Sequence, residues 1–140
     1  MITKEIKILE RIPARISTSE VLNLINSGVI NSKYLLSLKT LSEFNDETIS
    51  AWLNINVKTY RTYKKTKSNI KEDIQEHTVM LLALIKHGID VFGTNGNFNQ
   101  WLKTENFYFS QKEPIEYLNT ISGIKFIDDQ LTGIEYGDNA

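Results

Sequence analysis

The stretch from Lys71 to Phe92 constrains the fold more than any other, because it contains no proline and encloses the apolar run "VMLLALI", Val79 to Ile85. Asp73 stands near its start, and helical spacing continues through it, so a single long helix is expected there. A helix that is apolar nearly all round must be covered on every side, which makes it the centre of the molecule. The run is only seven residues long, whereas a membrane-spanning helix needs roughly 20 apolar residues. A soluble protein is therefore expected. The opening "MITKEIKILERIPARI" mixes charge into every turn and lacks the pattern of a secretory signal. With no cysteine in 140 residues, thiolate catalysis, disulfides and cysteine-bound zinc are excluded, and a reducing cytoplasm fits.

Just beyond the long helix, "VFGTNGNFNQWL" from Val91 to Leu102 carries two glycines and three asparagines. Glycines in such a setting raise the question of a phosphate-cradling loop. The lysine and serine or threonine of a P-loop are missing, and no strand precedes it. Helix punctuation is the better reading: Gly93 closes the long helix with a positive φ. Asn95 or Asn97 then caps the next helix, with Phe98, Trp101 and Leu102 on one side.

Elsewhere helical spacing also dominates. Val21, Leu22, Leu24 and Ile25 form a short apolar face ended by Gly28, and Tyr34, Leu35, Leu38 and Leu41 continue at steps of three and four. Asn45, three residues before Thr48 and with Asp46 and Glu47 after it, is a helix start. Pro114 opens "PIEYLNTI", Gly123 closes it, and "IKFIDDQLTGI" makes the last helix, with Gly137 as a further helix end. Alternation with hairpin turns is absent. An all-α fold of about seven helices is expected, in which residues 1–18 form an arm that is mobile or an oligomer contact.

Charge is distributed unevenly. From Lys58 to Lys71 there are six basic residues, including Lys67, and no acid, whereas Glu113 to Ala140 holds six acids and only Lys125. Such asymmetry points to two partners, one of them polyanionic. The segment "ISAWLNINVKTYRTY", Ile49 to Tyr63, has the layout of a helix-turn-helix. Small Ser50 permits close approach, Leu53 and Ile55 bury, Asn54 takes the left-handed turn, Asn56 caps, and Val57 and Tyr60 anchor the second helix. Lys58, Thr59, Arg61, Thr62, Lys64 and Lys65 then form a polar, basic face suited to DNA. Six phosphate contacts would give a salt slope of roughly −5 per copy. A solvated lysine face on an ordinary helix hairpin is the competing explanation.

The C-terminal part holds, in order, Val91, Phe92 and Gly93, then Trp101 and Leu102, Asn106, Pro114, Leu118, Thr120, Gly123, Leu131, Ile134 and Gly137. Through these residues the sequence from Val91 onward resembles the C-terminal toxin-binding domain of the Xre/MbcA/ParS-type antitoxins. The segment after Asn106 departs from the family, which often has a glycine there, by placing Phe107, Tyr108 and Phe109 instead. Adding the helix-turn-helix, the likeness covers residues 19–137 and implies an Xre-like DNA-binding region at 19–75 and a toxin-binding domain at 76–140. It also implies a mechanism in which a RES-domain toxin that consumes NAD is neutralised by an antitoxin covering its active-site entrance, while the Xre-like half binds operator DNA of the same operon. The inhibitor needs no chemistry of its own. A free-standing Xre-like transcriptional regulator is the alternative, and a structural helical adaptor a third.

On this reading the toxin-binding residues are Trp101, Leu102, Asn106, Pro114, Leu118, Leu131, Ile134, Glu135, Tyr136 and Gly137, with Glu135 and Asp138 supplying charge to a basic, NAD-binding entrance. Trp101 can equally pack on the central helix, and Trp52 is expected in the core or a dimer contact. Because operators are commonly symmetric, a homodimer, or a higher complex with the toxin, is expected. No catalytic group, metal or cofactor is expected. His77 and His87 lie about 15 Å apart along one helix and cannot share a metal, and they are expected at the surface or as caps. Adjacent Asp128 and Asp129 diverge and make no acid–base pair.

Overall fold

A computed structural model describes residues 8, 10–13, 17–65, 69–106 and 109–137. Among these are seven α-helices and one short 3-10 helix, and no strand. The helices are α1 (Thr18–Asn26), α2 (Ser32–Ser42), α3 (Asp46–Trp52), α4 (Val57–Lys65), α5 (Glu72–Phe92), α6 (Asn95–Leu102) and α7 (Ile121–Glu135), with the 3-10 helix at Pro114–Tyr117. Lys67, Phe107, Tyr108 and Asp138 lie outside the described residues.

Helix α5 is central, as its composition requires. Every residue from His77 to Ile85 is buried, and α1, α2, α6 and α7 all pack on it. The α3–α4 pair reaches the core differently, packing on α2, with buried Tyr60 donating its hydroxyl to the Leu35 carbonyl at 3.3 Å. Burying apolar area on both hubs supplies most of the driving force. The described part of the N-terminal segment belongs to the same core. Ile8 and Ile12 are buried, and Lys86 Nζ donates to the Ile12 carbonyl at 3.1 Å, so these residues are docked rather than forming a mobile arm.

Local chemistry places most helix ends where expected. Asn45 Oδ1 accepts from Thr48 N–H at 2.8 Å and Asn56 Oδ1 from Thr59 N–H at 2.7 Å. Asn54 takes φ 59° in the turn between α3 and α4, and Gly93 takes φ 86° after α5. Two ends differ. The cap of α6 is Thr94, whose Oγ1 accepts from Asn97 N–H at 3.1 Å, rather than Asn95 or Asn97. A residue already in extended backbone just before the helix satisfies the free N–H groups best. Gly123 does not close a helix either: Thr120 caps α7 through a 2.9 Å bond from Gly123 N–H, and α7 continues unbroken to Glu135. A Cβ on Gly123 would collide with the Tyr117 carbonyl oxygen. Glycine is there for close packing between α7 and the 3-10 helix, not for a turn.

Candidate functional site

Two surfaces carry the candidate residues. The first is the C-terminal half of α7 and the aromatic cluster beside it. Phe92, Phe98, Trp101 and Phe109 pack in sequence, with Trp101 centred 5.5 Å from Phe92 and 6.1 Å from Phe109. Phe109, Tyr117 and Phe126 continue the cluster, with all three ring centroids within 5.8 Å of one another. Trp101 is half-buried, and its indole Nε1 is buried without a hydrogen-bond partner among the described residues. It packs against α5 through Phe92, which is the packing role its sequence position allows. Leu102, Pro114, Leu118 and Leu131 are buried, so they shape this domain from within and present no side chain to a partner. Their spacing marks the face turned towards the core. Asn106 is half-buried, and its backbone closes the adjoining loop, with its N–H donating to Lys112 O at 3.1 Å and its carbonyl accepting from Gln111 at 3.1 Å.

What remains open to a partner is the end of α7. Ile134 is half-buried, Glu135 exposed, Tyr136 73% exposed, and Gly137 takes φ 87°. Phe126, two turns before Gly133 on the same helix, is also exposed, and the motif spacing does not single it out. It falls about 200° round the helix from buried Ile124 and about 100° from buried Ile127, off the core-facing side, and that is the signal that could have shown it.

The end of α7 is fastened by a histidine that the sequence alone places at the surface. His87 is buried, donating from Nδ1 to Asp128 Oδ1 at 2.7 Å and from Nε2 to Glu135 Oε1 at 3.2 Å. Carboxylates at both ring nitrogens require both N–H groups, hence an imidazolium. The hydrogen bond to Asp128 is the main reason its pKa lies above the usual value, against the opposing effect of burial. His77 is buried too, donating from Nε2 to the Leu118 carbonyl at 2.9 Å, and burial pushes its pKa down. Neither is a surface or capping histidine, because apolar surroundings on α5 tolerate a polar ring once its nitrogens are satisfied.

The second surface is α4. Lys58, Arg61, Thr62 and Lys65 are exposed and Thr59 is half-buried. The basic face is not uniform, however. Asp46 at the start of α3 accepts from Lys39 Nζ at 2.8 Å, Lys64 Nζ at 2.8 Å and Arg61 Nε at 2.9 Å, and Glu47 accepts from Arg61 Nη2 at 3.2 Å. The hydrogen bond from Lys39, then that from Lys64, holds the Asp46 carboxyl well below the usual carboxylate range. Lys64 is only 12% exposed and lies over the Tyr60 ring at 4.8 Å. It is a structural cation, so six freely available phosphate contacts overstate this surface. The Asn54 side-chain amide donates to the Asn119 carbonyl at 2.8 Å and so ties the α3–α4 turn to the start of α7.

An open cleft of about 640 Å³ lies between the α3–α4 turn and the start of α7, lined among others by Asn54, Lys71, His77 and Thr120. Among the described residues no group of three or more histidines and acids is placed to hold a metal ion, and no helix is long and apolar enough to cross a membrane.

The described residues make an all-α fold in which α5, α6, the 3-10 helix and α7 pack together at the C-terminal end. Residues 87–137, rather more than a third of the chain, match the family model of the antitoxin Xre/MbcA/ParS C-terminal toxin-binding domain, so this part of the chain is similar to that domain. The match begins at His87 and ends at Gly137, enclosing both α7 and the histidine that fastens it. No curated protein matches the chain.

Proposed function

We propose that this chain is the antitoxin of a type II toxin–antitoxin system and neutralises a RES-domain, NAD-consuming toxin in the cytoplasm by covering its active-site entrance. The observation that carries this reading is the toxin-binding domain match over residues 87–137, together with exposed Glu135, Tyr136 and Gly137 at the end of α7. Tyrosine is enriched among residues that dominate binding energy, and Tyr136 is the most exposed large apolar residue described. The α3–α4 pair binds operator DNA and represses the operon, acting as a homodimer or within a higher complex with toxin.

The test is titration of the chain into a purified RES-domain toxin while NAD consumption is monitored. Full inhibition is expected, with Tyr136→Ala weakening affinity about tenfold, the scale of a moderate interface anchor. Unaltered inhibition by Tyr136→Ala together with Glu135→Gln would remove the end of α7 from the mechanism. A free-standing regulator is the second reading, favoured by the well-formed turn at Asn54 and cap at Asn56. Tight DNA binding without any toxin inhibition would select it.

A further inference from the structure

We propose that Arg61 reads a guanine edge in duplex DNA through the outer end of its guanidinium, with Asp46 and Glu47 as the positioning residues that hold it. This rests on the reading of α3–α4 as a DNA-binding pair and names the side chain that would give the pair its selectivity.

The geometry is specific about which donors are used. Asp46 takes Nε–H at 2.9 Å and Glu47 takes an Nη2 N–H at 3.2 Å, which together occupy one side of the planar group. Guanidinium carries five N–H donors in a fixed fork, so the Nη1–Nη2 end remains for a ligand, and the side chain is 48% exposed. Asp46 cannot follow Arg61 outward, because Lys39 and Lys64 hold its other oxygen at 2.8 Å each. The arginine is thus presented with little rotamer freedom left to lose on binding.

The charge around it selects the acceptor. Two carboxylates beside Arg61 offset its attraction for a phosphate and would themselves repel one, yet they leave its hydrogen-bonding end intact. The major-groove edge of guanine offers O6 and N7, two uncharged acceptors that match this fork. Phosphates fall instead to Lys58 and Lys65, two turns apart on the exposed side of α4 and in no ion pair among the described residues. Lys64, spent on Asp46 and the Tyr60 ring, contributes to neither.

The experiment measures affinity of the full chain for the duplex upstream of its own gene and for a shuffled duplex of equal length, at several salt concentrations. Arg61→Lys keeps the charge and loses the fork. It should lower affinity for the upstream duplex roughly tenfold to a hundredfold, leave the shuffled duplex unchanged, and leave the salt slope as in the wild type. Replacing guanine by 7-deazaguanine in the upstream duplex should weaken the wild type and cause no further loss in Arg61→Lys. Glu47→Gln, at an exposed position, should narrow the preference for the upstream duplex while strengthening shuffled binding. Lys58→Ala and Lys65→Ala should each reduce the slope by about 0.9 on both duplexes. Equal losses on both duplexes for Arg61→Lys, or indifference of the wild type to 7-deazaguanine, would overturn the assignment and leave Arg61 a phosphate contact or a structural cation. A wild type that binds neither duplex would overturn the DNA-binding reading, and this assignment with it.

Discussion

The α3–α4 pair and the α5–α7 region are held by contrasting means. In the first, one carboxylate gathers cations from its neighbouring helices within a short stretch of chain, Lys39 to Lys64. In the second, the fastening residues are far apart in sequence: His77 meets Leu118 and His87 meets Asp128, each across 41 positions. Local fastening keeps a charged surface ordered while leaving it open to solvent. Fastening to a buried helix fixes the far end of α7 as an apolar and acidic platform. The difference matches what each surface is proposed to meet, a polyanion on one side and a folded protein on the other.

Gly123→Ala should break the second region most severely. Its Cβ would collide with the Tyr117 backbone, which cannot swing aside as a side chain can. A loss of roughly 3 kcal/mol is expected from such overpacking, read by denaturant unfolding, and a loss below about 1 kcal/mol would mean that the contact is not tight. In the first region Asp46→Asn should cost about 2 kcal/mol, less than a fully buried pair because Lys39 and Arg61 stay half in water. Asp46 has a folded pKa below its unfolded one. Its contribution is therefore present above about pH 4 and is lost as pH falls towards the folded value. The Asn variant should flatten that acid limb.

The two histidines sharpen the comparison within α5 itself. His87 has a raised folded pKa, so its stabilisation is complete below the unfolded value of about 6.5 and is lost as pH rises through the folded one. His77 is depressed and works in the opposite sense, stabilising above about 6.5 and losing that contribution as pH falls. His87→Gln should remove the loss on the alkaline side and leave the His77 limb. Amide exchange across the last turn of α7, measured against pH, should show the turn loosening in wild type as His87 deprotonates. Protection factors, corrected for the intrinsic rise of exchange with pH, that stay constant would detach Glu135 from His87. The smallest effect is expected at Asn54→Gly, within about 0.5 kcal/mol, because glycine relieves the positive φ while the bond to Asn119 is lost.

Much of the fold was legible because it obeys local rules. The all-round apolar character of Val79 to Ile85 announced a central helix, and asparagine caps and left-handed turns were readable at Asn45, Asn54 and Asn56. The C-terminal motif, from "VFG" to Gly137, pointed to the toxin-binding domain that residues 87–137 match. The site was less legible. Motif positions such as Leu118 and Leu131 mark a family, but a motif residue can be retained for packing as readily as for contact, and these two are buried.

By itself, then, the sequence determined the helices, their centre and the class of domain, since periodicity, caps and motif spacing all act between near neighbours. Only the tertiary structure decided which lysine is spent inside the protein, that Gly123 serves close packing rather than a helix end, and that His87 grips two acids on α7. Those outcomes depend on which groups meet across distant segments, where burial and charge are set by the partner that arrives rather than by the residue alone.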